Sequence, residues 1–249
     1  MKKLLYLFLL ASQVIFGQES FDQANELYRK DQFEAAVTAY ENILKTKKHS
    51  AELYFNLGNA YYKLNQVAPA IYNYEKALLL DPDDTEISNN LKFAQQLQID
   101  DIKQVNNVGF GKWLQDFTSA YHYNTWGGIA IGCSTLFLVF FVGYYFSETT
   151  RLKRIFFILM FVALLVIVLS VFAAIFEKTR YQNDQPAIVF AEVVSVKTEP
   201  KSDAPDAFVL HEGSKVQVVE SLDHWKKITL PDGTTGWIDQ NAIKLIKSR

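Results

Sequence analysis

The side chains best suited to catalysis are few and scattered. His49, His122, His211 and His224 stand far apart, and none has metal-ligand spacing to a cysteine or carboxylate motif. No Gly-rich phosphate loop, HExxH or GxSxG sequence occurs. The one cysteine, Cys133, lies in an apolar run, which argues against a nucleophile, and a single cysteine cannot form an intrachain disulfide. Asp223-His224-Trp225 reads as a turn carrying a surface histidine rather than a general base. The chain is therefore expected to be no enzyme and to hold neither metal nor cofactor. What remains is recognition by aromatic and amide side chains, and that depends on the elements that position them.

The chain has 249 residues, with 25 Lys and Arg against 27 Asp and Glu, and is 49% hydrophobic. These averages suit a globular protein, and the lack of basic excess argues against nucleic acid as a partner. The charges are unevenly placed, however: Leu4–Gln18, Phe117–Ser147 and Ile155–Phe176 carry no Asp, Glu, Lys or Arg. A membrane protein and a soluble one are averaged together.

Met1-Lys2-Lys3 followed by the apolar Leu4 to Ala11 reads as a secretory signal peptide over residues 1–17. Cleavage after Gly17 leaves Ile15 at the −3 place, where a small residue is usual. The competing reading, an uncleaved anchor, has an apolar core too short to span comfortably. Trp126–Phe146 and Ile155–Phe176 each supply about the 20 apolar residues that cross a bilayer as a helix. The loop 147–154 between them holds Arg151, Lys153 and Arg154 and is expected to stay cytoplasmic, which places both flanking segments on the far side. A signal peptide exports the first of these independently, so the predicted location is a bacterial inner membrane with both soluble segments periplasmic. Residues 99–125 form either an interfacial helix, from the spacing of Phe110, Trp113, Leu114 and Phe117, or a plain linker. Residues 177–184 read as a polar stalk.

Residues 18–98 hold two 34-residue repeats and a capping helix. Ala51 to Asp84 carries Tyr54, Leu57, Gly58, Tyr61, Ala70, Tyr74, Ala77 and Pro82, and closely resembles the tetratricopeptide repeat. One period earlier, Ala24, Leu27, Ala36, Tyr40 and Ile43 stand in register; one period later, Ile87, Leu91 and Ala94 begin a fading copy. The resemblance implies paired helices whose first members line a peptide groove, at Phe21, Asn25 and Tyr28 and at Phe55, Asn56, Asn59, Tyr62 and Lys63. Asn25 and Asn56 match the asparagines of the carboxylate clamp in chaperone-binding members. The clamp's cationic places hold Phe21, Glu86 and Asn90, so the asparagines read as repeat consensus. Two repeats are fewer than the three or so that such arrays need.

Residues 185–249 change to β periodicity. Five short segments, 187–194, 208–210, 215–220, 225–230 and 235–238, are separated by turn signals such as Glu212-Gly213 and Pro231-Asp232-Gly233. Trp225-Lys226-Lys227-Ile228 and Gly236-Trp237-Ile238 resemble the bacterial SH3-like domain, which implies an all-β small barrel. Phe208, Trp225 and Trp237 are its candidate ligand face, and the ligands of relatives are cell-wall peptides or proline-rich segments.

The fold class is thus a multidomain membrane protein: an all-α repeat segment, a two-helix transmembrane hairpin and an all-β SH3-like barrel. Taken in order, these parts resemble the BatE-like family of the Bacteroides aerotolerance operon. That resemblance implies von Willebrand factor A-domain membrane proteins and a MoxR-type ATPase as partners, and a link to oxidative-stress tolerance. The leading reading is a non-enzymatic adaptor, and the alternative is a sensor or anchor whose SH3-like domain binds peptidoglycan. A divergent wall hydrolase using His211 and His224 is a third reading.

Overall fold

The computed structural model describes residues 20–102 and 109–247; the expected signal peptide lies outside them. The chain divides into two compact units, one drawn from Met1–Gln104 with Gln185–Arg249 and the other from Val105–Asp184.

In the first unit, α1 (20–29), α2 (Phe33–Lys45), α3 (Ala51–Lys63), α4 (Val67–Leu80) and α5 (Thr85–Gln95) follow one another as antiparallel pairs. The repeat sets the turns as well as the helices. Asp31 and Asn65, one period apart, each take φ near +57° (56° and 57°), the left-handed conformation that Asp and Asn tolerate best. The next amides, of Gln32 and Gln66, reach back to the carbonyls of Leu27 and Tyr61. Ser50 caps α3 through the Leu53 amide, and Asp84 caps α5 through Glu86 and Ile87. Ala24, Ala36, Ala60, Ala70 and Ala77 are fully buried, so the helices approach closely.

Gly58 has a similar role. A β-carbon there would meet the Tyr74 ring at 2.8 Å, and Tyr74 is itself buried. Gly58→Ala is expected to lower stability by about 1–2 kcal/mol, since overpacking outweighs the helix propensity gained. Thermal melting checks this, and a higher midpoint would show that the ring can move aside.

The same unit contains β1 (Pro186–Val189), β2 (Val193–Lys197), β3 (Asp206–His211), β4 (Lys215–Leu222), β5 (Trp225–Thr229), β6 (Thr235–Asp239) and β7 (Ile243–Leu245). They form one antiparallel sheet in the order β3-β2-β6-β5-β4-β1-β7. Two expectations change here. The run 187–194 is two strands rather than one: β1 pairs with β4 and β7, β2 with β3 and β6, and no Gly or Pro marks the break. The sheet is also open where a closed barrel was predicted, as no ladder joins β3 to β7 among the described residues. At β7, the Tyr72 hydroxyl of helix α4 donates to the Leu245 carbonyl at 3.3 Å.

All four residues of β1 are buried. Ala187 and Val189 belong to the sheet core with Val196, Ile228 and Ile238, whereas Ile188 packs with Ile246 among Ile71, Tyr74, Ile87 and Leu91 of the repeats. The strand is therefore shared by two cores.

The second unit holds α6 (Phe110–Thr118), α7 (Tyr123–Phe146) and α8 (Thr150–Asn183). Helices α7 and α8 form an antiparallel hairpin: Tyr123 meets Tyr181 at one end, Tyr144 meets Phe157 at the other, and a β-carbon on Gly143 would touch the Phe156 ring. The buried residues of α8 are Ala163, Ser170, Ala173 and Glu177, the spacing of a coiled-coil seam. Outside the seam the surface is apolar and open, with Phe161 at 66% and Ile175 at 62% exposure. The stalk expected at 177–184 is the end of α8, continued by an Arg180–Glu177 ion pair at 2.7 Å and free of Gly or Pro. The basic loop residues Arg151, Lys153 and Arg154 likewise begin α8. Residues Phe110–Thr118 are helical, and Trp113 and Phe117 remain exposed.

Candidate functional site

The asparagines of the predicted groove are held by hydrogen bonds between successive helices, Asn25 with Asn56 and Asn59 with Asn90. Asn25 Oδ1 accepts from the Tyr40 hydroxyl at 2.7 Å and from Asn56 Nδ2 at 3.1 Å. One period on, Asn59 Oδ1 accepts from Tyr74 at 2.7 Å and from Asn90 Nδ2 at 2.9 Å. Each triad ties the first helix of a repeat to its own second helix and to the first helix of the next. Burial pushes the Tyr40 hydroxyl up to about 12 and raises that of Tyr74, so both remain protonated donors. The remaining groove candidates follow the same period: Phe21 lies against Tyr40 and Phe55 against Tyr74, with ring centres 6.1 and 6.0 Å apart. Tyr28 packs on Phe33, Tyr62 is half-buried, and Lys63 is exposed at the end of α3.

The three SH3-face candidates do not share a face. Phe208 is paired with Val196 and turned toward the sheet core. Trp225 and Trp237 alternate with the core residues Ile228 and Ile238, and so stand on the opposite face, in register with Asp239 and Lys227. Lys227 Nζ lies 5.8 Å from the Trp237 ring centre, a cation–π distance.

Sequence reasoning missed the junction between repeats and sheet. Asp100, just beyond the last repeat helix, accepts from the His211 amide at 2.7 Å, from His211 Nδ1 at 2.7 Å, and from the Ser214 hydroxyl. Gln98 donates to the Gly213 carbonyl, and Lys215 pairs with Glu75 at 2.7 Å. One signal for this docking was present: Ala187-Ile188-Val189-Phe190 is apolar without alternation, the mark of a strand covered on both faces.

Burial by itself would push the Asp100 carboxyl up, but the hydrogen bonds from Ser214 and His211, with the imidazole's charge, hold it below its ordinary value. A carboxylate with a depressed folded pKa stabilises the fold at pH above its unfolded value of about 3.9, and this contribution is lost as pH falls through the folded value. Asp100→Asn is therefore expected to weaken the junction at neutral pH and to flatten the loss of stability below about pH 4. Melting curves from pH 3 to 7 check this, and parallel curves for the two proteins would refute it.

Among the described residues, no group of three or more His, Cys, Asp or Glu is placed to hold a metal ion.

Comparison with known families finds the tetratricopeptide repeat over residues 51–84, the TPR repeat over residues 24–65 and the bacterial SH3 domain over residues 192–244. No curated protein matches the chain. The chain thus carries two modules that typically mediate interaction with protein or peptidoglycan, and two helices long and apolar enough to cross a membrane.

Proposed function

We propose that the chain is a non-enzymatic inner-membrane adaptor of the BatE type, presenting its repeats and SH3 domain as one periplasmic body. The observation that carries this reading is the shared core around Ile188 and Ile246. Segments on either side of the hairpin pack together, so they must lie on the same side of any membrane it crosses. The open apolar face of the hairpin supports spanning, since a core helix of a soluble protein would be mostly covered, whereas the most apolar windows of α7 and α8 are 6% and 11% buried. The basic residues at the start of α8 support a periplasmic exposure of both soluble segments, since short basic segments between spans tend to stay cytoplasmic.

In this reading the first-helix face of the repeats takes a protein segment through Phe21, Tyr28, Phe55, Tyr62 and Lys63, with Asn25, Asn56 and Asn59 fixing the helices beneath. Von Willebrand factor A-domain membrane proteins of an aerotolerance complex are the proposed partners. Crosslinking and pull-down from solubilised membranes should recover such a partner at near-equal amounts; recovery of the chain alone would sink the proposal. Protease protection of either soluble segment in spheroplasts would overturn the topology.

A peptidoglycan anchor is the second reading, supported by the bacterial SH3 match. Co-sedimentation of the detergent-solubilised full chain with purified sacculi distinguishes the two. The full chain is the right reagent, because the sheet shares its core with the repeats.

A further inference from the structure

A cavity of about 200 Å³ opens where helices α2, α3 and α4 of the repeats meet the sheet segment, lined by Tyr54, Tyr61, Tyr72 and Phe190 together with Glu41 and Lys244. Both modules build it. Tyr72 meets Phe190 edge-on, ring centres 5.6 Å apart, and an ammonium group lies beside each ring. Lys244 Nζ sits 4.0 Å from the centre of the Phe190 ring. Lys76 Nζ lies 5.6 Å from that of Tyr72 and 6.0 Å from that of Tyr54. Tyr54 is fixed in turn by His49, whose Nδ1 is 2.8 Å from its hydroxyl.

The charges around this cavity are unbalanced. Among the described residues, neither Lys76 nor Lys244 forms an ion pair; Glu75 is taken by Lys215, which leaves the Glu41 carboxylate, hydrogen-bonded by the Tyr61 hydroxyl, against two ammonium groups. A half-buried amine on aromatic faces gains from the ring quadrupoles but keeps N–H donors for an anion. Burial lowers the Lys76 pKa, the response of an ammonium that lacks a counter-charge.

We propose that this cavity is a docking site for an acidic protein segment, which places one ring or branched aliphatic side chain against Tyr72 and Phe190 and flanking carboxylates on Lys76 and Lys244. The volume suits one such side chain, and charge complementarity selects the occupant. The site is distinct from the first-helix groove, and it exists only while the repeats and sheet are docked. Occupancy therefore stabilises the junction by mass action.

The test uses the full chain in detergent and a fluorescein-labelled pentapeptide alternating aspartate with phenylalanine, followed by fluorescence anisotropy. Saturable binding is expected, weaker by about tenfold or more when serine replaces aspartate. The double variant Lys76→Glu, Lys244→Glu should lose the acidic peptide to a similar degree, and the double arginine variant should retain it. Melting of each variant reports whether the junction is intact, and Lys244→Glu alone, at an exposed position, keeps the test valid should Lys76→Glu unfold the chain. Equal binding of the serine peptide, or no loss on reversing the charges in a folded protein, would overturn the proposal.

Discussion

Replacing Ile188 by alanine is expected to destabilise the repeat helices and the sheet together, by about 2–5 kcal/mol. Ile188 is fully buried and shares one core cluster with Ile71, Tyr74, Ile87 and Leu91 of the repeats. Truncation removes its transfer free energy and leaves a cavity that two rigid layers cannot easily close. Hydrogen exchange reads the outcome by location. Amides of Val67–Leu80 and Thr85–Gln95 should lose protection along with those of Pro186–Val189. Val196→Ala, confined to the sheet core, should affect the repeats much less. Loss of protection restricted to the strands would show that the two modules fold independently.

The same contact bears on the size of the repeat array. Two repeats and a capping helix fall short of the three or so units that usually give stability. Here strand β1 and the residue after β7 add to the helical core: Ile188 and Ile246 share one buried cluster with Ile71, Tyr74 and Ala77 of α4. The partner that a minimal array needs is supplied from within the chain.

The second large effect is expected at Gly236. A β-carbon there would lie 2.5 Å from Val196 Cγ1 and 3.1 Å from the Lys197 carbonyl oxygen. Val196 is fully buried, and the carbonyl belongs to the adjacent strand β2, so neither neighbour can give way freely. Gly236→Ala should destabilise the sheet by about 3 kcal/mol, at the upper end for overpacking. Chemical denaturation followed by tryptophan fluorescence would measure it, since Trp225 and Trp237 flank the site on β5 and β6. An unchanged midpoint would mean that β2 and β6 separate without loss. At Gly213 the backbone is the obstacle, with φ at +87°, and a β-carbon there would stand only 3.1 Å from Val67 Cγ1.

Much of the architecture was legible in local pattern. The 34-residue period located the helices, and its recurrence in Asp31 and Asn65, Tyr40 and Tyr74, Asn25 and Asn59 shows why: each repeat solves the same packing problem with the same side chains. The hairpin was legible because its two helices are long and apolar all round, a signal that survives without knowledge of neighbours. The hydrogen bonds of Asn25 with Asn56 and of Asn59 with Asn90 recur one period apart and tie successive repeats together.

What local pattern could not reach is set by contacts distant in the chain. Asp100 and His211 are separated by the whole hairpin, and neither carries a motif; only the fold makes them hydrogen-bond partners. Gly213 read as a turn glycine, and it is one, yet it also faces Val67 and Ile71 of the repeats. The stalk was read from its polarity, although i,i+3 pairing and the lack of a breaker carry the helix on to Asn183. Composition, period and hydropathy suffice for elements whose stability is local or whose surroundings are uniform. The joining of two modules into one body, and the aromatic cavity that this creates, depends on complementarity between surfaces more than a hundred residues apart.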